Sequence, residues 1–181
     1  MKNIMYIIIT AAIFTISACE KGDMPMEVTL PDEVPFGTTE VYLNGTLMPS
    51  YQNTFEYWSG SKTMVFGFLE RPSSRYSNSF GFGWLPLREG KYPIGKPGVL
   101  YEVATTGFSQ IFHQEDDGDE YTLIGPENGY FHITYLDTIN KEVKGHFKAI
   151  FKRTKKNYIR SGDLPMILLY QGIFYDNYTH H

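Results

Sequence analysis

One cysteine, Cys19, occurs in 181 residues, and beyond it stand only two alanines, Ala104 and Ala149. With a single thiol the chain can form no internal disulfide, and no cysteine cluster exists to bind a metal. The shortage of alanine, set against 14 Tyr and 13 Phe, argues for strands over helices. No window of ten or more residues keeps a 3.6-residue apolar repeat. There is no Gly-x-Ser-x-Gly to build a nucleophile elbow. The five histidines, His113, His132, His146, His180 and His181, include no His-Glu-x-x-His. The acidic stretch "HQEDDGDE" lacks the ligand order of a calcium loop and reads as a hairpin tip. A formal charge of −4 gives no electrostatic reason to expect nucleic acid. No cofactor is expected.

What is present begins with Met1-Lys2-Asn3 and about a dozen mostly apolar residues through Phe14. That is the shape of a secretory signal and too short for a membrane-spanning helix, which needs about 20 apolar residues. The stretch Ile16-Ser17-Ala18-Cys19 resembles the lipobox of bacterial lipoproteins. The resemblance implies cleavage after residue 18, lipid attachment at Cys19 and anchorage in the outer membrane, facing either the periplasm or the exterior. One acyl chain binds only marginally, whereas several chains hold permanently. The membrane is therefore the first expected partner, reached through the lipid on Cys19.

Residues 20–35, "EKGDMPMEVTLPDEVP", are rich in proline and acid with no sustained periodicity. They read as a solvated tether. Fully extended, they would span about 50 Å. Residues 36–181 read as one β domain.

Turn signals recur every 8–12 residues or so, the spacing of an antiparallel β-sandwich, with a closed β-barrel as the alternative. Asn44-Gly45 centres a hairpin in "TEVYLNGTLM". Residues 59–62 join "NTFEYW" to "TMVFGFLE", and "EDDGD" joins "FSQIFHQ" to "EYTLI". In "NSFGFGWLPL", Phe80, Phe82 and Trp84 alternate with glycines and should share a face. The hairpin 130–152 centres on Ile139. It should bury Phe131, Ile133, Tyr135, Val143, Phe147 and Phe151, and place His132 opposite His146 on the wet face. The run "PMILLYQGIFYD" reads as a central strand covered on both sides.

The segments "VYLNGTLMPS", "GKYPIG", "NGYFHITYLD", "VKGHF" and "YQGIF" are together similar to an uncharacterised family of small Gram-negative lipoproteins. The resemblance spans roughly residues 41–174. It implies an all-β fold and carries no activity or site residues.

Three readings of function follow. The leading one is a non-catalytic binding or structural module with a glycan or envelope protein as partner. Its candidate ligand-binding residues are Tyr57, Trp58 and Trp84, because exposed rings stack on sugars. Most other rings, including Tyr51, Phe55, Tyr76, Tyr92 and Tyr101, are expected to fill the core. The second is an enzyme acting on glycans through paired carboxylates such as Glu56, Glu70 or Glu102. The third is a carrier of small apolar ligands inside a closed barrel. His132 and His146 form a two-ligand metal candidate, incomplete without a carboxylate. The terminal His180 and His181 read as frayed. The basic run 152–157 reads as a solvated loop, with anionic headgroups or surface polysaccharide as a further contact.

Overall fold

A computed structural model describes residues 25–48, 51–70, 76–95, 104–112, 116–117, 119–125, 127, 129–156 and 164–181. Cys19, Tyr101, Glu102 and His113 lie outside them, as do the side chains of Tyr51, Glu70 and Tyr76. The described residues contain no α-helix, and strand makes up 67% of the structure. Two sheets pack face to face without closing into a barrel. The expected all-β sandwich is thus the fold, and the barrel alternative falls away.

Sheet A runs β6 (Gly90–Gly95), β10 (Tyr130–Asp137), β11 (Glu142–Lys155), β12 (Ile167–Asn177), β1 (Thr38–Leu43) and β2 (Thr46–Leu47). Strand β9 (Glu120–Leu123) pairs with the far half of β11. Sheet B runs β13 (Thr179–His180), β3 (Tyr51–Trp58), β4 (Thr63–Glu70), β5 (Tyr76–Pro86) and β7 (Ala104–Phe112), with β8 (Asp116–Asp117) on β7. Strand β6 turns the corner between sheets. Its residues 90–93 pair antiparallel with β10, and residues 94–95 pair parallel with β7. The chain leaving β12 crosses similarly, and β13 adds in parallel to β3.

Local chemistry accounts for the turns. Asn44 and Gly45 both take positive φ (50° and 86°), the backbone a two-residue β1–β2 turn requires. At the β10–β11 tip, the Asp137 carboxylate accepts from the backbone N–H groups of Ile139 and Asn140. The hairpin expected across "EDDGD" does not form as such. Strand β7 joins sheet B and β9 joins sheet A, leaving only the two-residue β8 to pair with β7. Turn dipeptides mark a reversal but do not decide which sheet receives the next strand.

The interior is a phenylalanine core. Phe66 and Phe82 of sheet B meet Phe131 of sheet A at 4.5 and 4.9 Å between centroids. Phe68 meets Phe147 at 4.8 Å, and Phe80 stacks on Tyr170 at 4.3 Å. Two glycines make room for these rings. Gly145 faces Phe174 and Gly172 faces Phe147 across β11 and β12. A Cβ on Gly172 would lie 2.5 Å from the Phe147 ring. Each Gly-x-Phe of one strand therefore houses the phenylalanine of the other.

Two face assignments need correction, and both fail at bulges. Between Met64 and Phe66 the register slips, so Gly83 and Trp84 of β5 together oppose Val65. Leu85, not Trp84, then continues the inward row, fully buried, while Trp84 turns outward. Likewise a slip between Ile133 and Tyr135 turns Tyr135 out, and Leu136 packs on the core instead. The other expected core residues, Phe131, Ile133, Val143, Phe147 and Phe151, are buried.

The tether reading also changes. Residues 25–35, the described part of it, lie along the outer face of sheet A. The Gln171 side chain donates to the Val28 carbonyl at 3.1 Å and accepts from the Val28 N–H at 2.9 Å, in the manner of a β-bridge. Lys148 pairs with Glu27 and Lys144 with Glu33, and Val34 is buried. This strap explains why β12 is apolar throughout. Leu168, Tyr170 and Phe174 face the core, while Leu169, Gln171 and Ile173, on the other face, are equally buried. Proline and acidic residues forbid a regular element here, but they do not forbid docking.

Candidate functional site

The outer face of sheet B carries an open concavity of ≈ 490 Å³ lined by Trp58, Gly60, Ser61, Thr63, Val65, Gly83 and Trp84. Its two tryptophans, the only two in the chain, come from neighbouring parts of the sheet for different reasons. Trp58 ends β3, where alternation from the inward Phe55 sends it outward. Trp84 is outward because of the β5 bulge, and its backbone holds φ at 62°, uncommon for a bulky residue. They are 49% and 40% exposed, large values for so bulky an aromatic side chain.

Polar groups frame the rings. The Trp58 indole Nε1–H donates to Glu56 Oε2 at 3.1 Å. The Ser61 and Thr63 hydroxyls share a hydrogen bond of 2.6 Å. Trp58 also meets the ring of His181 at 5.5 Å between centroids. That contact depends on a chain end that is clamped, not frayed. His181 N donates to Tyr57 O, and Ser59 donates to the His181 carbonyl through both backbone N–H and hydroxyl, at 2.8–2.9 Å.

A second depression of ≈ 470 Å³ adjoins on the same face, lined by Gln52, Thr54, Gly67, Leu69, Ser79 and Gly81 together with Phe68 and Phe80. Here Thr54, Gly67, Gly81 and Gly107 stand in register across β3, β4, β5 and β7. Gly67 and Gly81 add no side chain of their own to this trough, and the Thr54 hydroxyl leans over Gly67. Its place between Phe80 and Phe82 marks Gly81, like Gly83, as a bulge or a point where another element packs close to the backbone. Gly107 carried no local signal, since alignment between strands is a tertiary property.

Of the three expected ligand-binding residues, the structure therefore brings together Trp58 and Trp84. Tyr57 points the other way. It packs against the core and against the His180 ring at 5.0 Å. Among the candidate carboxylates, Glu56 stands beside Trp58, whereas Glu70's side chain and Glu102 lie outside the described residues.

The two histidines face each other as the register predicts. His132 Nδ1 and His146 Nε2 are 3.2 Å apart, with the rings perpendicular. Their face is half-buried, not wet. Burial lowers both pKa values, the charge on Lys91 lowers them further, and His132 adds to the effect at His146. Lys91 itself lies over the Tyr130 ring at 4.1 Å. Among the described residues no group of three or more metal-ligating side chains gathers, so the pair brings two ligands in cationic surroundings.

Comparison with known proteins provides no further guide: no family model, no curated protein and no solved structure matches the chain.

Proposed function

We propose that the chain is a lipid-anchored protein of the bacterial outer membrane, and that its sandwich is a non-catalytic binding module for a glycan. Cys19 carries the anchor, and the likeness to small Gram-negative lipoproteins is part of the same reading. One observation carries the binding assignment: both tryptophans of the chain meet at one concavity on an outer sheet face. Exposed indoles offer apolar faces with a polar edge, which matches a sugar ring with its apolar CH face and hydroxyl rim. Glu56 and Ser61 supply hydrogen-bonding groups at the border, and the glycine trough extends the face for further sugar units. A residue held in strained backbone beside a cavity is a pointer to function, and Trp84 is such a residue.

Because no other tryptophan exists, intrinsic fluorescence reads the site directly. Titration with a panel of neutral and acidic envelope oligosaccharides should quench or shift the emission saturably for at least one class. Trp84→Ala should abolish the response while the far-ultraviolet β signature persists. A panel that leaves the emission unchanged, or a Trp84→Ala protein that still binds by calorimetry, would remove the glycan assignment. Cys19→Ser, with the same β signature, should leave the membrane fraction.

A further inference from the structure

We propose that Lys91, His132 and His146, in line across the outer face of sheet A, form a binding site for a phosphomonoester group. The site is independent of the glycan and lipid-anchor readings, since it lies on the other sheet and shares no residue with them.

Strand register builds the row. Lys91 of β6 stands opposite His132 of β10, and His132 opposite His146 of β11. Neighbouring strands lie about 4.8 Å apart, so three nitrogen-bearing side chains meet on one short stretch of sheet. Alternation fixes their side. Tyr92, Phe131, Ile133 and Phe147, next to them in the chain, are buried in the core, and the row points the other way. The Lys91 Nζ lies 4.1 Å from the centre of the Tyr130 ring, and that ring meets His146 edge to face at 5.4 Å.

Charge balance marks the row as a site. On either side of His146 along β11, Lys144 pairs with Glu33 and Lys148 with Glu27, so the strap's carboxylates neutralise the flanks. Glu89, before β6, accepts from the Leu136 N–H. On the far side of Ile173, Glu40 of β1 accepts from the Tyr42 hydroxyl, and Glu142 accepts from the hydroxyl of Tyr175 on β12. Among the described residues no carboxylate pairs with Lys91, His132 or His146. A cation therefore stands beside two bases with no anion of their own. Burial lowers both imidazole pKa values and the Lys91 charge lowers them further, the sign expected where a counter-charge is missing. A metal ion would find only two ligands and meet the lysine's repulsion. An anion is attracted by the same lysine.

Proton counting gives the class of anion. His132 Nδ1 and His146 Nε2 are 3.2 Å apart, so in the neutral pair one ring donates to the other. The outer nitrogens, His132 Nε2 and His146 Nδ1, then hold one N–H and one lone pair between them. One added proton fills that lone pair and leaves the inner hydrogen bond intact. Each ring now presents an outer N–H, and with Lys91 the row carries two positive charges. A phosphomonoester carries about −1.5 to −2 near neutral pH, which matches them, and its oxygens accept charge-assisted hydrogen bonds. A single carboxylate would leave one positive charge unmet. Because coupling is reciprocal, a bound phosphoryl group favours the protonated pair as much as the protonated pair favours it.

The test follows the histidine ring protons of the full-length protein by NMR, with His132→Gln and His146→Gln assigning the two signals. The protein is titrated between about pH 8 and pH 5 in inorganic phosphate, glucose 1-phosphate or sodium chloride at equal ionic strength. Both phosphoryl probes should raise the apparent pKa of the pair, tenfold tighter binding to its protonated form appearing as about one unit. His180 and His181 should move no more than in chloride. Lys91→Gln should act in two opposite directions. It should raise the pair's pKa in chloride, because the lysine's charge is gone, and abolish the further rise with phosphate, while Lys91→Arg restores the parental behaviour. Short-chain phosphatidic acid in the same sample sets a lipid headgroup against the soluble ester, and the probe that acts at lower concentration identifies the source. A rise shared by all the histidines, a rise that persists in Lys91→Gln, or no rise with any phosphoryl probe would overturn the site.

Discussion

His132 and His146 show how a neighbour decides what a residue does. From the strand pattern both belong to the solvent face, yet both are half-buried, packed on each other and, for His146, on the Tyr130 ring. Burial holds each imidazole below its ordinary pKa, with Lys91 adding to it at His132, and His132 and then Lys91 adding to it at His146. The folded chain therefore binds these protons less readily than the unfolded chain, whose histidines titrate near about 6.5. Stability from the neutral pair is fully present above that value and declines as pH falls through it toward the lower folded values. Urea midpoints should accordingly drop between about pH 7 and pH 5, and His146→Gln should flatten that decline. A His146→Gln variant that loses stability as steeply as the parent would locate the pH dependence elsewhere. Trp84 makes the complementary point. Its alternation with Phe82 assigns it to the core, and one extra residue in β5 places it on the outer face of sheet B.

At the scale of elements, the strap is the unit whose role differs most from its composition. Its two surface ion pairs, with Glu27 and Glu33 well exposed, are worth little, about 0–1 kcal/mol each. The Gln171 bridge to Val28 matters more, because Gln171 is only 3% exposed and its loss leaves part-buried backbone groups of Val28 without their partner. Gln171→Leu should lower stability by about 1–3 kcal/mol, two hydrogen bonds at the usual net value. It should also make residues 25–35 cleavable by protease before the sandwich unfolds. Cleavage there at the parental rate would mean that Val34 and the ion pairs suffice. The Gly-x-Phe pairs of β11 and β12 were visible as spacing in the sequence. That each glycine accommodates the other strand's ring could be known only once the register was fixed.

For the whole molecule, one aromatic cluster ties both sheets together, from Phe55 and Phe82 to Phe147 and Phe174. Neither sheet can part from the other without exposing those rings, so unfolding should be a single cooperative event. Tryptophan emission reports the far end of sheet B, and far-ultraviolet dichroism reports both sheets. Their urea transitions should coincide in midpoint and slope. An earlier fluorescence transition would mean that the concavity end opens by itself, which would weaken the case for a preformed site.

Composition and turn chemistry alone determined the all-β class, the Asn44-Gly45 and Ile139-centred hairpins, the opposition of His132 and His146, and a central β12. All of these depend on interactions between near neighbours in the chain or on a period of two along a strand, which a sequence displays directly. Only the tertiary structure decided that Trp84 turns outward, that Tyr57 turns in, that the proline-rich segment docks, that the terminal histidines are clamped, and that Gly67, Gly81 and Gly107 align. Each of those rests on a bulge, a register or a contact between distant segments. Such contacts are set by how the phenylalanine core closes, not by the residues on either side.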